Sequence, residues 1–391
     1  MALRSSHNLT DLFSDELTAV VTAIHNTPEK IVLEFAGAGS LALAWLHGVG
    51  GSSRTILEAT DRYASASLTE LIGFRPEQFV SRGVAVAMAA AAYQRAQLLA
   101  EPETPLAGVG CTATIATDRT KRGRHRACVA AYTAAGLLTF DLTLVKGARD
   151  RLAEEQVISR LILRAIVEAS QIGGQLSFAL VEDEVIESSF EPVSLLEQLL
   201  TGSVQSVTLS PPGRLSTDEP AVNGAIVSGS FNPLHQGHRQ MARIAARKLD
   251  RSIYFELPLL NADKPPLAPA EAIRRGAQFL DFAPLVFTGA PLFTQKAQIF
   301  PNTVFIVGYD TAVRLIEPRF YHDDPAQMRA AFEAIRAAEC RFFVAGRVKD
   351  DRFLTWRDLA LPDELHDLFD GFTEQEFRID LSSTELRQNS A

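Results

Sequence analysis

From Ala225 to Ala345 the chain repeats one pattern, a short apolar run followed by a segment with helical spacing. Ala225–Ser228, Ser252–Leu257, Leu285–Thr288, Val304–Val307 and Arg341–Ala345 read as strands. His238–Leu249, Pro269–Leu280 and Asp324–Ala338 read as the helices among them. Glu376–Ile379 is expected as a last short strand, and a final helix is expected from Ser383 onward. Strand and helix in alternation predict an α/β fold built on a doubly wound parallel sheet. In such sheets ligands sit beyond the carboxyl ends of the strands, where helices begin.

The stretch GSFNPLHQGH, Gly229–His238, falls at such a handover. Gly229 allows a tight turn after the strand, Pro233 stiffens the loop, and Gly237 permits close approach at the helix entry. Unpaired N–H groups and the helix dipole favour an anion there. His235 and His238 are three apart, so a first helical turn aims both at one point. An imidazole N–H donates to phosphate oxygens, which points to stabilisation of a phosphoryl or nucleotidyl transfer. The bland alternative is a pair of histidines that only cap or pack.

Near the far end of the same part stands LSSTELR, Leu381–Arg387. Asp380, Ser382 and Ser383 are good N-cap residues for a helix starting here. Hydroxyls and backbone N–H groups at that start suit a polyphosphate. Arg387 lies one turn further and reaches the same anion. An ordinary capped terminal helix would look the same.

GSFNPLHQGH closely resembles the HxGH signature of the nucleotidylyltransferase superfamily, which includes cytidylyl- and adenylyltransferases. LSSTELR is similar to that superfamily's C-terminal ISSTxxR signature, with Leu381 for isoleucine. FELPLLNADKPPL (Phe255–Leu267), FIVGYDTAVRL (Phe305–Leu315) and FFVAGR (Phe342–Arg347) resemble segments of the nicotinamide- and nicotinate-mononucleotide adenylyltransferase branch. The resemblance implies a Rossmann-like domain in which a mononucleotide phosphate attacks the α-phosphorus of ATP and expels pyrophosphate. His235, His238 and Arg387 would be catalytic. Gly229, Ser230, Phe231, Asn232, Gly237, Gly308, Asp310, Ser382, Ser383 and Thr384 would bind the nucleotide, and Lys264 the substrate. A solvated loop lysine remains an equal reading of Lys264. Mg²⁺ would come with ATP, and no protein metal site is expected. The partners implied are ATP and a phosphorylated small-molecule acceptor. Another acceptor, CTP in place of ATP, or a sensor that binds nucleotide without turnover are the alternatives.

The sequence divides near residues 202–222, where Gly, Ser, Pro and Thr dominate and periodicity is lost, as in a linker. The expected domains are therefore 1–201 and 223–391. The first reads as mixed α/β. Helices are expected at Leu9–Asn26, Val84–Leu99 and Glu154–Ala169, and a strand at Ile31–Phe35. A meander is expected from Val109–Thr117, Ala127–Thr133 and Leu138–Val145. Leu33–Gly73 resembles the C-terminal domain of the competence/damage-inducible (CinA-like) family, which includes nicotinamide-mononucleotide deamidases; the resemblance extends over about residues 1–175. Glu34, Gly39, Gly51-Ser52-Ser53 and Tyr63 fit that family's pattern. Phe35 stands where its nucleophilic serine is expected and Leu68 where its lysine is expected, so no deamidase activity is predicted. Self-association through this domain is an expectation from the same resemblance.

The remaining signals bound the setting. Formal net charge is −9, which gives no general case for a nucleic-acid surface. The basic loop Asp118–Arg126 is read as a solvated hairpin tip, and His47 beside Gly48–Gly51 as structural. Cys111, Cys128 and Cys340 are scattered and odd in number, which fits a reducing compartment. No apolar stretch is long enough for a membrane span, and the N-terminus lacks an apolar signal core, so a cytoplasmic protein is expected.

Overall fold

The computed structural model describes residues 13–118, 122–174, 176–218, 224–261, 265–349 and 352–378. The described chain forms two compact units. One holds the residues up to Ser194 together with Pro269–Gln278; the other holds Leu195–Ala268 and the chain from Phe279 on.

The first unit runs α1 (Asp15–His25), β1 (Lys30–Ala36), α2 (Ser40–Gly48), β2 (Ile56–Asp61), α3 (Ser65–Ile72), α4 (Arg82–Leu99), β3 (Leu106–Thr114), β4 (His125–Thr133), β5 (Leu137–Leu144), α5 (Arg151–Ala169) and β6 (Ile186–Glu191). Its strands form one sheet in the order β2-β1-β3-β4-β5-β6. β1 is parallel to β2 and β3. β3, β4 and β5 make the expected antiparallel meander. The expected first helix begins at Asp15 within the described residues, where the Ser14 hydroxyl accepts the Leu17 N–H.

Strand alternation decides what covers each face. Ala107, Val109 and Cys111 of β3 join Val21, Trp45, Leu161 and Ile162 of α1, α2 and α5 in the main core. Gly108 and Gly110 point the other way, toward α4. That helix is alanine-rich and buried along most of its length. A Cβ on Gly108 would lie 2.2 Å from the Ala89 carbonyl oxygen, and one on Gly110 2.5 Å from that of Ala85. Small residues on both sides therefore bring helix backbone almost onto strand backbone.

After β6 come α6 (Ser194–Leu200), β7 (Ser206–Leu209), β8 (Leu215–Thr217), β9 (Ala225–Ser228), α7 (Gln236–Leu249), β10 (Ile253–Pro258), α8 (Pro269–Gly276), β11 (Leu285–Thr288), α9 (Phe293–Ile299), β12 (Val304–Gly308), α10 (Tyr309–Leu315), α11 (Pro325–Ala337), β13 (Arg341–Ala345), β14 (Arg347–Lys349), β15 (Arg352–Leu354) and β16 (Phe369–Gly371). The second unit's sheet has the order β16-β13-β12-β9-β10-β11-β7-β8. Its first six members are parallel neighbours. From β9 the chain steps outward through β10 to β11. It then returns to place β12 on the other side of β9 and steps outward again to β13 and β16. The direction reverses between β9 and β12, as the doubly wound expectation requires.

Three local readings differ from the structure. Residues 202–222, expected as a linker, carry β7 and β8, which pair antiparallel with each other and along β11. The Pro211-Pro212-Gly213 turn between them has the composition of a linker but closes a hairpin, with Gly213 at φ 96. Among the described residues the last strand is Phe369–Gly371, and the part of the expected Glu376–Ile379 strand that is described is not a strand. Glu376 lies in a turn instead, where its carboxylate accepts the Thr373 N–H and the Lys248 ammonium, each at 2.8 Å. The helix expected over Pro269–Leu280 stops at Gly276 and continues as a 3-10 turn over Ala277–Phe279. This α8 belongs to the first unit, where it packs on α4 and Gln94 Nε2 donates to Glu271 Oε2 at 3.2 Å. The helix expected from Ser383 lies outside the described residues.

The close approach of α4 to β3 is testable. Gly108→Ala should lower stability by about 1–3 kcal/mol through overpacking. Gly123→Ala, where a Cβ meets nothing within 4 Å, should change it by less than about 0.5 kcal/mol. Denaturant titration of the two variants measures the difference.

Candidate functional site

The turn after β9 is built on an aromatic floor. The Gly229 N–H donates to the Glu256 carbonyl at 3.0 Å, extending the strand pairing one step past Ser228. Phe231 then takes φ 42, an unusual conformation for a bulky residue that costs on the order of 1–3 kcal/mol. Its ring folds under the turn and is 1% exposed. A Cβ on Gly229 would lie 2.9 Å from that ring, so the glycine is what lets the ring fit. Phe231 meets His238 edge-on at 5.2 Å, Phe255 at 5.5 Å and Phe279 at 5.2 Å. Such pairs add about 0.5–1.5 kcal/mol each beyond burial. The Asn232–Pro233 peptide is cis.

On this floor stand the two histidines. His235 is the N-cap of α7 and His238 is in its first turn. Their rings stack with centroids 3.8 Å apart and planes 28° from parallel. The His235 backbone N–H donates to His238 Nδ1 at 3.3 Å. That nitrogen is therefore an acceptor, and the neutral ring carries its proton on Nε2, where it is a donor. Burial holds the His235 imidazole below the usual histidine range. Burial first, and then the adjacent His235, hold His238 down at about 3. Two neutral rings stack without charge repulsion, and an arriving anion would favour a proton on either. The N–H groups of Gln236 and Gly237 add first-turn donors that have no acceptor within the helix.

β12 is the parallel neighbour of β9, so Gly308 ends its strand on the same edge of the sheet. Gly308 is exposed at φ −72, and a Cβ there would meet nothing within 4 Å. Neither backbone conformation nor crowding calls for glycine here; it leaves open space at the strand end. Asp310 lies in the first turn of α10 and bonds Arg347 at the start of β14. Thus the strand reversal brings the His235–His238 turn and the Gly308–Asp310 turn to adjacent strand ends. Ser230 is exposed on the first turn, whereas Phe231 is buried in its floor and Gly237 is buried at the helix entry. Lys264, Ser382, Ser383, Thr384 and Arg387 lie outside the described residues. Among the described residues, no group of three or more His, Cys, Asp or Glu could hold a metal ion. No helix of the described residues is long and apolar enough to cross a membrane.

Residues 226–389 match the cytidylyltransferase-like family. This part of the chain is a nucleotidyltransferase domain. No curated protein matches the chain. Solved structures similar to it include a competence/damage-inducible protein of Agrobacterium tumefaciens, 18% identical, covering 41% of this chain and 98% of that one with a TM-score of 0.34. A competence-damaged (CinA) superfamily protein of Escherichia coli is 14% identical, covering 41% of this chain and 92% of that one with a TM-score of 0.32. A competence damage-inducible protein of Klebsiella pneumoniae subsp. pneumoniae is 15% identical, covering 39% of this chain and 94% of that one with a TM-score of 0.32.

The nucleotidyltransferase domain also holds a pair that the sequence reading does not single out. Glu256 of β10 and Lys296 of α9 are buried, and Lys296 Nζ lies 2.6 Å from Glu256 Oε2. Ser228 Oγ donates to Glu256 Oε2 at 2.7 Å and Thr288 Oγ1 to Glu256 Oε1 at 2.5 Å. The available signal is a carboxylate inside the apolar run Ile253–Pro258, since a buried charge needs a partner.

In the first unit, Phe35 and Leu68 are buried apolar side chains at 4% and 2% exposure. Glu34 is buried and bonds Arg62 Nε at 2.8 Å. The N-terminus of α2 is closed from within: Glu155 Oε1 accepts the Gly39 N–H at 2.8 Å, the Ser40 hydroxyl at 3.0 Å and the Leu41 N–H at 3.3 Å.

The histidine pair has a pH signature. The unfolded chain takes up the His238 proton as pH falls below about 6.5, and the folded protein only near about 3. Its contribution to stability is full above the first value and is lost as pH falls toward the second. Without ligand, the His238 ring carbon shifts should stay flat between about pH 8 and pH 5 by NMR. His238→Gln should flatten the acid-side loss of stability seen by denaturant titration at stepped pH.

Proposed function

We propose that the nucleotidyltransferase domain transfers an adenylyl group from ATP to a pyridine mononucleotide, nicotinate or nicotinamide mononucleotide, with release of pyrophosphate. The observation that carries this reading is the stacked, neutral histidine pair at a helix entry, beside the strand reversal and the open Gly308 turn. A mononucleotide phosphate oxygen attacks the α-phosphorus of ATP, and the bond to the pyrophosphate oxygen breaks as negative charge moves onto the leaving group. His235 and His238 donate to the α- and β-phosphate oxygens through that change, and no covalent enzyme intermediate is needed. First-turn N–H groups already aimed at the site need little reorganisation, which is where such donors gain their effect. Ser382, Ser383, Thr384 and Arg387 are assigned to the β- and γ-phosphates from the LSSTELR pattern, and Lys264 to the acceptor. Mg²⁺ enters bound to ATP as part of the substrate, with phosphate oxygens and water as most of its ligands.

The pyridine acceptor rests on the FELPLLNADKPPL, FIVGYDTAVRL and FFVAGR segments. The match to a cytidylyltransferase-like family keeps a second reading in view, CTP as donor or another phosphorylated small molecule as acceptor. For the first unit we propose no deamidase activity, because buried phenyl and isobutyl groups at Phe35 and Leu68 offer neither a nucleophile nor an ammonium.

A pyrophosphate-release screen of ATP and CTP against pyridine mononucleotides and other phosphorylated acceptors tests the main reading. Release only with ATP plus nicotinate or nicotinamide mononucleotide is expected; release with CTP alone would move the assignment to the second reading. His238→Ala should lower turnover by roughly 100-fold or more with little loss of folding, and wild-type turnover in that variant would sink the mechanism. The full chain should release no ammonia from nicotinamide mononucleotide; measurable release would overturn the reading of the first unit.

A further inference from the structure

The Glu256 carboxylate stands in β10 and is bound by the ends of both neighbouring strands, Ser228 of β9 and Thr288 of β11, and by Lys296 of α9. Its own carbonyl takes the Gly229 N–H, the first link of the turn that carries His235 and His238. One residue of β10 thus gathers the ends of two neighbouring strands and a helix near the edge of the sheet where the candidate site opens. Stability alone does not call for charge at this place, since apolar residues of similar volume often replace a buried ion pair with no loss. What apolar contact lacks is direction. A carboxylate held by three donors fixes how far Ser228 can slide along Glu256, and hence where Gly229 begins its turn.

We propose that Glu256 and Lys296 are positioning residues for the transfer reaction, holding the Ser228–Gly229 strand end so that His235 and His238 meet the phosphates. The assignment deepens the adenylyl-transfer reading and rests on it. Neither residue touches the substrate; both act through the backbone of the turn.

The test uses the full chain with Glu256→Gln, Lys296→Met and the double variant Glu256→Gln/Lys296→Met. Each single change leaves a buried group without its partner and should lower the melting temperature. The double change removes both charges and should restore the melting temperature to near that of the wild type. Its kcat for pyrophosphate release should nevertheless stay ~10- to 100-fold down, with KM for ATP moving less than ~3-fold. Its His238 ring should titrate closer to the ordinary histidine range, read by NMR without substrates. A double variant with wild-type kcat and an unmoved His238 titration would overturn the proposal. If the wild type releases no pyrophosphate with any acceptor, the adenylyl-transfer reading fails by itself, and the His238 titration alone decides on positioning. If the double variant does not fold, Ser228→Ala decides. A lower kcat at unchanged KM would support the clamp, and a wild-type kcat would refute it.

Discussion

A sheet of parallel strands whose chain turns back on itself must part at one place, and that parting governs the C-terminal half of this protein. β9 lies at the centre, with β10 to one side and β12 to the other. The connections leaving β9 and β12 run to opposite flanks, so neither of these two covers the strand ends between them. Helix entries with unpaired N–H groups collect there, and so do the glycines that keep the approach open. The histidine pair is set on this edge by packing from below. Phe231 can lie under His238 only because Gly229 has no side chain. The ring beneath the donors thus owes its seat to a missing side chain.

Electrostatics at that edge follow from the same burial. Desolvation keeps both imidazoles neutral, and a neutral pair can stack where a charged one would separate. A phosphate dianion would oppose that preference, because its charge favours the protonated ring.

Much of this was legible in the residues. Alternating apolar runs placed the parallel strands, and the histidine spacing inside a Gly-bounded handover placed the candidate site. Other parts were hidden for physical reasons. The hairpin of β7 and β8 has strands of four and three residues, too short for periodicity to register beside a Pro-Pro-Gly turn. The Glu376 segment alternates like a strand, but its carboxylate is engaged by Lys248 and Thr373, partners distant or subtle in sequence. Glu256 looks like an ordinary strand residue until Lys296, forty positions away, is seen to meet it. Composition and spacing report local preference; a pairing across elements appears only when the chain is folded.

α8 leaves the transferase part of the chain between β10 and β11 to be built into the first unit. The polypeptide therefore passes from one unit to the other at Ser194, returns at Pro269 and passes again after Gln278. Neither unit is a contiguous cassette. A gene fragment cut between them at a single point would strip the first unit of a helix and leave that helix in the second without its partner.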